Sequence, residues 1–193
     1  MAKRITFSFL LGFLCFYHSY GQYSYEKGKG DLYLEKHYVG FNLLTPSFEW
    51  EFVIGKNQTA STTLGLALAT VDGEYSFSPS YNVKYRYYHN IKNRVDSGKN
   101  VSGNSANYIA ASFTHFFLDY QLLGNMSRTD GDLIFLGAVY GLNRTFKNGI
   151  RVGGDVGLGY YFRDRVSHGI GPAIHFNFGW TPTRKKKKKI QFR

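Results

Sequence analysis

The sequence predicts an all-β chain that forms an eight-stranded antiparallel up-and-down transmembrane β-barrel, preceded by a cleaved signal peptide. Three features predict this fold: an apolar leader at the N-terminus, a strand-like alternation of large apolar and small or polar residues, and an aromatic-rich composition. Phe, Trp and Tyr make up 18% of the chain, whereas Pro contributes only 4 residues, a balance that favours strands. The chain then divides into a signal peptide (1–21), an N-terminal periplasmic segment (22–31), the barrel (32–181) and a basic C-terminal tail (182–193).

The first residues have the three-part layout of a secretory signal peptide. Lys3 and Arg4 supply positive charge, 5–17 form an apolar run, and small residues precede a cleavage position after Gly21. The run is too short for a membrane-spanning helix, which needs about 20 apolar residues. The only cysteine, Cys15, lies inside this run, so cleavage leaves a mature chain without thiol or disulfide chemistry.

The segment 150–162, IRVGGDVGLGYYF, shows the alternation most clearly. Val152 and Leu158 fall on one face and Arg151 and Asp155 on the other, which is the period of 2 expected of a strand with two unlike faces. The same sorting recurs between turns rich in Gly, Asn, Pro and Lys. Eight strands are predicted on this basis: 32–44, 47–55, 59–71, 75–88, 107–121, 132–146, 149–162 and 170–181.

The large apolar face of these strands is expected to point outward. Phe48, Trp50 and Phe52 alternate with Glu49 and Glu51, so one face is aromatic and the other is polar. In a membrane barrel the apolar side chains meet lipid and the polar ones fill the lumen. A soluble lipocalin-like barrel is the alternative fold, and it requires the aromatic faces to point inward. The aromatic residues near strand ends that we expect to form interfacial girdles are Tyr87, Tyr88, Tyr108, Phe146, Phe162 and Trp180.

The polar face carries charges of both signs, so these charges can pair inside the barrel. Eight strands enclose an interior just wide enough for side chains to fill. We therefore predict a lumen plugged by paired charges and not an open pore. The residues of this predicted lumen charge network are Glu49, Glu51, Lys84, Arg86, Arg151, Asp155 and His175.

Three segments carry a resemblance to a known family. They are VGFNLLTPSFEWEF (39–52), the stretch 85–110 with YRYYHNIKNR and NSANYIA, and IRVGGDVGLGYYF (150–162). The chain resembles the small outer-membrane β-barrel proteins of Bacteroidetes-type bacteria. The resemblance implies an eight-stranded barrel in the cell outer membrane with periplasmic termini, and it assigns no functional residue. It also implies that the last strand, ending at Trp180, is read by the barrel-assembly machinery, although this chain continues beyond that aromatic residue.

Two sets of connections follow from periplasmic termini. The connections at 45–47, 72–76, 122–131 and 163–169 would face outward, and those at 56–58, 90–106 and 147–149 would face the periplasm. The outward set is short, which disfavours large adhesive loops.

The basic character of the chain belongs to its ends. The formal net charge is +11, of which two charges leave with the signal peptide and seven lie between Arg184 and Arg193, leaving about +2 for the barrel. Such a run is typical of a solvated end, and the alternative is contact of Arg184 to Lys189 with acidic polymers or lipid headgroups. A nucleic-acid partner is not expected, since the signal peptide directs the chain out of the cytoplasm; the expected partners are outer-membrane lipid and the assembly machinery.

The sequence offers little support for catalysis. The six histidines do not fall at metal-ligand spacings, so we predict no metal site and no cofactor. His115 falls on the predicted lipid face, which questions the register of that strand. Asp164, Ser167 and His168 lie together in one outward connection, but adjacency does not establish nucleophile–base geometry.

The function predicted from the sequence is therefore that of a non-enzymatic outer-membrane barrel with a structural or interaction role. A small passive channel or a small-ligand-binding barrel is the alternative, because the lumen is charged. A lipid-modifying enzyme at the rim, using Ser167 and His168, is the third hypothesis.

Overall fold

In the computed structural model, the described residues are 33–71, 73–127, 131–163 and 169–182. The predicted signal peptide, the segment 22–31 and nearly all of the basic tail lie outside them. The strands are β1 (His37–Asn42), β2 (Ser47–Gly55), β3 (Gln58–Val71), β4 (Glu74–Tyr87), β5 (Asn107–Phe116), β6 (Leu123–Gly124), β7 (Leu133–Thr145), β8 (Ile150–Phe162) and β9 (Gly169–Trp180). One short helix, α1 (Ile91–Asp96), and a 3₁₀ turn at Leu118–Tyr120 lie in the connections.

Eight of these strands form a closed antiparallel ring. Each pairs with the next along the chain, in the order β1-β2-β3-β4-β5-β7-β8-β9, and β9 returns to pair with β1. The closing contact is short, since it consists of Phe41 opposite Trp180 and Asn42 opposite Gly179. The two-residue β6 pairs only with the start of β4, along the part of its edge that β5 does not reach. The predicted all-β, antiparallel ring of eight strands is thus confirmed as a barrel-like fold.

The observed strands depart from the predicted ones in three places. β5 ends at Phe116 and not at 121, because Phe116 and Leu118 turn into an interior apolar cluster. The amide of Leu118 donates to the Asp132 carboxylate at 2.9 Å, which fixes the 3₁₀ turn that follows. β1 is a six-residue strand within the predicted 32–44. The predicted loop 90–106 contains α1, whose Ile91 is fully buried.

The two faces of the ring are sorted as the alternation predicts. Along β2, the side chains of Glu49 and Glu51 are 2% and 0% exposed, whereas Trp50 between them is 40% exposed. The outer face is apolar around the ring, and the inner face is polar in the middle of the barrel. His115 does lie on the outer face, where its ring pairs with Asp132 at 2.8 Å near the strand end.

Two of the predicted girdle residues were placed on the wrong face. Tyr88 and Tyr108 are 0% and 1% exposed and point into the barrel, where their hydroxyls meet buried carboxylates. Tyr88 has the same strand parity as Arg86, so the alternation itself assigns it to the interior. The other four girdle residues are exposed on the outer face.

The barrel has two distinct ends. We call the end with residues 33–36 and 181–182 the terminal end; the connections after β2, β4 and β7 also lie there. The opposite end, with the connections after β1, β3, β5 and β8, is the distal end. This grouping matches the two sets of connections predicted from the sequence.

The wall of the ring is uneven in height at the distal end. β1 and β2 meet in a turn at 43–46, whereas β3 and β9 on either side continue well past it. The turn is held close to β3, since a Cβ on Gly65 would lie 2.3 Å from both the Pro46 carbonyl oxygen and the Ser47 Cβ. A gap therefore remains between the distal parts of β3 and β9, which we call the wall gap.

Among the helices of the described residues, none has the length and apolar character needed to span a bilayer.

Candidate functional site: the lumen charge network and the cavity beside it

Glu49 occupies the centre of the buried charges. Its carboxylate contacts the guanidinium of Arg86 on β4 at 2.7 Å and accepts a hydrogen bond from Arg151 on β8. The Glu49 side chain therefore links β2 to both β4 and β8. Because the side chains of all three residues are at most 3% exposed, these contacts are shielded from solvent and poorly screened by salt.

Glu51 provides the second carboxylate for Arg86. The Arg86–Glu51 contact is 2.6 Å, and the guanidinium also lies over the ring of Tyr108 at 5.0 Å. The remaining lone pairs of Glu51 are used as well, since its Oε1 accepts from the Tyr88 hydroxyl at 2.7 Å and the Asn104 amide at 2.9 Å. Such additional hydrogen bonds offset the cost of removing a carboxylate from water.

Arg151 is held by neutral groups on its other sides. Its Nε donates to the Asn143 side-chain oxygen at 2.8 Å, and its guanidinium carbon lies 4.9 Å from the centre of the Tyr38 ring. Tyr38 and Asn143 are themselves almost fully buried. The arginine is thus fixed from three directions, by the carboxylate, the amide and the aromatic face.

A second cluster lies farther from the terminal end, around Asp155. Its carboxylate is 2.5 Å from the Lys84 ammonium, accepts from the Tyr108 hydroxyl at 2.8 Å and contacts the His175 ring at 2.8 Å. Lys84 is on β4 and His175 on β9, so Asp155 joins opposite walls of the barrel. Tyr108 touches both Arg86 and Asp155 and so connects the two clusters.

The structure brings all seven predicted network residues together. The three cationic side chains, Lys84, Arg86 and Arg151, face three carboxylates, so the network is neutral when the imidazole of His175 is uncharged. A buried charge without a partner costs several kcal/mol, which is why this balance decides whether the barrel can close around these residues.

Three polar groups of the network were not identified from the sequence. Tyr88 and Tyr108 supply hydroxyl donors, and their strand parity was the signal that could have placed them inside. Asn104 sits in the connection after β4 with a positive φ of 52°, a conformation that Asn tolerates better than most residues. No local pattern points from that loop to a carboxylate on β2, so Asn104 could not be found from the sequence.

The terminal end of the barrel is closed by the connection after β4. Tyr88, Ile91 and Ala106 from this connection pack with Leu34 and Val139 into an apolar cluster. Beside the cluster, the amide of Gly103 donates to Glu35 Oε1 at 2.7 Å and Asn104 accepts from the Glu35 amide at 2.8 Å. The connection is therefore fastened to the segment that leads into β1.

Glu35 is the one perturbed carboxyl of this closure. Burial raises its pKa from 4.5 to about 7, the Gly103 N–H opposes that rise, and the Glu51 carboxylate adds to it. Its Oε2 is buried and has no hydrogen-bond partner in the described part of the chain. A protonated Glu35 therefore suits this position better than an ionised one.

Between the network and the distal end lies a cavity of about 530 Å³, which is partly inside the ring and partly open to its outer side. The network forms one side of it through Glu49, Lys84, Arg86, Asp155 and His175. Neutral polar side chains complete the inner lining: Asn42, Thr45, Ser47, Thr63, Ser80, Asn82, Thr114 and Asn177. The charge network thus fills only the terminal part of the lumen. The volume of the cavity lies within the range of about 300–1,000 Å³ typical of small-ligand pockets.

No family model, curated protein or solved structure matches this chain. The geometry of its own residues is therefore the basis for any functional assignment.

An apolar cluster covers the cavity on the distal side. Phe116 at the end of β5 packs, with Leu118 and Met126 from the connection that follows, against Ala69 of β3 and Leu133 of β7. This cluster, which we call the distal cap, lies within the ring. The cavity is thus closed along the barrel axis by the charge network on one side and the distal cap on the other.

The predicted rim site cannot be placed, because Asp164, Ser167 and His168 lie outside the described residues. Within the described part, no group of three or more His, Cys, Asp or Glu side chains is arranged to hold a metal ion.

Loss of the Glu49 charge should destabilise the barrel strongly. In Glu49→Gln the Arg151 guanidinium keeps its hydrogen bond to Asn143 but loses its carboxylate, leaving a buried cation uncompensated. We expect the free energy of unfolding to fall by about 3–5 kcal/mol. Urea unfolding followed by tryptophan fluorescence measures this change.

The matched control is Asp96→Asn, which removes an equally short ion pair, Lys92–Asp96 at 2.6 Å, from the surface of α1. Because both side chains are more than half exposed, this variant should unfold like the parent protein. Equal effects of the two substitutions would contradict a stabilising role for the buried network.

Titration of Glu35 should make the stability of the fold depend on pH. Between pH 4.5 and about 7 the folded protein keeps a proton on Glu35 that the unfolded chain releases. The contribution of Glu35 to the free energy of unfolding is therefore fully present below pH 4.5 and is lost as pH rises through this window, by about 3 kcal/mol. Urea unfolding at a series of pH values tests this slope.

Glu35→Gln should flatten the profile in that window, since the amide does not titrate. Glu74→Gln, which alters a half-exposed carboxylate at the distal end, serves as the control and should retain the parent profile. A profile that stays unchanged in Glu35→Gln would show that another group carries the pH dependence.

Proposed function

We propose that this chain is a non-enzymatic outer-membrane β-barrel, exported through a signal peptide, that binds a small ligand inside the barrel and does not conduct ions. The observation that carries the ligand-binding part is the cavity of about 530 Å³ between the charge network and the distal cap. A barrel with only a structural role has no need of this volume, because eight strands allow side chains to fill the interior.

The apolar outer face supports the membrane part of the proposal. Soluble monomers rarely expose apolar patches larger than a few hundred Å², whereas large apolar side chains are exposed on every strand of this ring. Four strands have 13 or 14 residues, enough to cross a bilayer at the tilt of a membrane barrel. Exposed members near the middle of strands include Tyr140, Val156 and Ile174.

The charge network supports a closed barrel over a passive channel. Each of its charged groups is held by an opposite charge across the lumen, and α1 with its connection covers the terminal end. Ions crossing the barrel along its axis would have to separate buried ion pairs and displace the apolar distal cap. Both steps require loss of contacts that stabilise the fold.

The same contacts argue against catalysis in the lumen. Asp155 and His175 are paired, but the third group on this carboxylate is the Lys84 ammonium, which favours an ionised carboxylate held in place. In the described part of the chain no hydroxyl hydrogen-bonds to His175 in the manner of an activated nucleophile. The network is therefore assigned a structural role.

Biogenesis and surface contacts complete the proposal. β9 ends at Trp180 with apolar residues at alternate positions, a pattern suited to recognition by the barrel-assembly machinery. Outer-membrane lipid would surround the ring, and the basic tail from Arg184 to Lys189 would contact acidic polymers or lipid headgroups at the terminal end.

A charge placed on the outer face distinguishes a membrane barrel from a soluble one. Val156 lies in the middle of β8 and is 54% exposed, so in water Val156→Arg would be nearly neutral. In a bilayer the same change should cost about 2–4 kcal/mol. We expect Val156→Arg to reduce recovery of heat-modifiable protein from the outer-membrane fraction.

The control is Tyr120→Arg, at a residue that is 70% exposed in the 3₁₀ turn after β5. It should be recovered like the parent. Recovery of the parent chain as a soluble periplasmic monomer would refute the membrane proposal.

Planar bilayers containing the folded protein should show no single-channel conductance. The reason is that the charge network and the distal cap block the axis of the barrel at separate levels. Heat-modifiable migration of the same preparation shows that folded barrel is present in the bilayer sample. Discrete conductance steps at neutral pH would instead favour the passive channel.

A further inference from the structure

The wall gap opens the side of the barrel between β3 and β9. β1 pairs with β9 only as far as the Leu43 amide, which donates to the Phe178 carbonyl, and β2 pairs with β3 only as far as Gly65. The Leu66 amide of β3 still donates to the Pro46 carbonyl of the turn at 3.0 Å; beyond these points β9 continues to Gly169 and β3 to Val71, each paired on its other edge alone. No described strand fills the space between them.

The turn below the wall gap has an apolar surface. Leu43 and Leu44 are 64% and 62% exposed, although turn residues facing water are usually polar. β1 has six residues, fewer than the about 9–11 that a strand needs to cross a bilayer. In a membrane, the turn and the wall gap would therefore lie at the level of the lipid chains and not in the headgroup region.

The cavity passes through this wall gap. Its lining includes His175 and Asn177 from the inner face of β9, but also Ile174 and Phe176 from the outer face of the same strand. Leu66 of β3 extends the outer lining on the other side. The cavity thus has a polar part inside the ring and an apolar part on the lipid side.

The strand edges beside the wall gap need an occupant. Open sheet edges do not occur against lipid, because backbone groups without a partner are costly in hydrocarbon. An apolar chain alone would leave these groups unpaired, whereas a molecule with hydroxyl groups satisfies them. The occupant therefore needs both an apolar chain and a hydrogen-bonding head.

The polar lining indicates the chemistry of that head. The charged groups of the lining are already neutralised by one another, so they favour a head without net charge. Asn42 is only 8% exposed, and its side-chain oxygen has no hydrogen-bond donor in the described part of the chain. The side-chain oxygen of Asn177 is in the same situation. Both oxygens accept hydrogen bonds, so the head should carry donors.

We infer that the cavity takes an amphiphile with one acyl chain and an uncharged, hydroxyl-bearing head, which enters sideways from the membrane through the wall gap. The head lies against Asn42 and Asn177, and the acyl chain leaves between Leu66 and Phe176. This inference rests on the proposed function, because a lateral entrance has meaning only for a barrel that sits in lipid.

The test uses the full chain reconstituted in vesicles of phosphatidylethanolamine and phosphatidylglycerol. The probe is 1-palmitoylglycerol with a photoactivatable diazirine in its acyl chain, and labelled peptides are mapped by mass spectrometry. Labelling of 43–44 and 174–176 should saturate and should be displaced by unlabelled 1-palmitoylglycerol. Palmitate and hexadecylamine, which carry charged heads, should displace it far less.

Two variants separate the entrance from the head site. Ala67→Trp places a large ring on the inner face beside the wall gap and should lower the saturable labelling by about tenfold. Asn177→Leu removes one acceptor and should weaken displacement by unlabelled 1-palmitoylglycerol about fivefold. Ala138→Trp, on the exposed outer face of β7, is the matched control and should label like the parent.

Each result bears on one part of the inference. Labelling spread evenly around the outer face, or unchanged in Ala67→Trp, overturns the lateral entrance. Equal displacement by the charged amphiphiles overturns the uncharged head. Should Ala67→Trp lack heat-modifiable migration, Ile174→Trp replaces it at the outer side of the wall gap, with the same expected loss. Failure of the parent chain to enter the vesicles would instead refute the proposed function.

Discussion

The contact of Glu49 with Arg86 and Arg151 is the interaction on which the interior of this barrel depends. A carboxylate on β2 holds one guanidinium from β4 and another from β8, and all three side chains are shut off from water. None of the three could be buried alone, because an isolated charge in a protein interior costs more than a small fold can offset. The burial of each group thus requires the other two, and the position of the strands that carry them.

The surrounding side chains provide hydrogen bonds for the charged groups that this contact leaves without a full set of partners. Tyr88 and Asn104 donate to Glu51, Tyr108 donates to Asp155, and Asn143 accepts from Arg151. Because Asn104 belongs to the connection after β4, the network reaches the terminal end and orders the loop that closes it. The distal half of the lumen lies beyond this network, and the cavity remains there.

Much of this fold could be predicted from the sequence because a strand sorts its residues with a period of 2. That rule gave eight strands, their facing and the seven members of the charge network, all from local pattern. It did not predict how short β1 is, because Leu43 and Leu44 continue the apolar character of the strand into the turn. The cavity also escaped prediction, because it depends on which strands reach the distal end, a relation between distant parts of the chain.

Interior position was harder to predict for side chains that are both aromatic and polar. Tyr88 and Tyr108 suit a membrane interface by chemistry and the lumen by parity, and the buried carboxylates decide for the lumen. Glu35 and Asn104 meet only because a loop folds back over the barrel end. Contacts of this kind leave no periodic trace in a sequence.

The short pairing of β1 with β9 has a consequence for how the ring closes. Joining β1 to β9 costs conformational entropy that rises with the length of the enclosed loop, yet only two residue pairs and the Leu43–Phe178 backbone hydrogen bond link the two strands directly. Glu49 and Arg151 are separated by 102 positions and lie on the strands that flank this seam. The Thr181 hydroxyl, which donates to the Val39 carbonyl at 2.5 Å, adds a second link across it. The ion pair thus links the strands on both sides of the seam. Contacts inside the barrel therefore stabilise closure more than the pairing of β1 with β9 does.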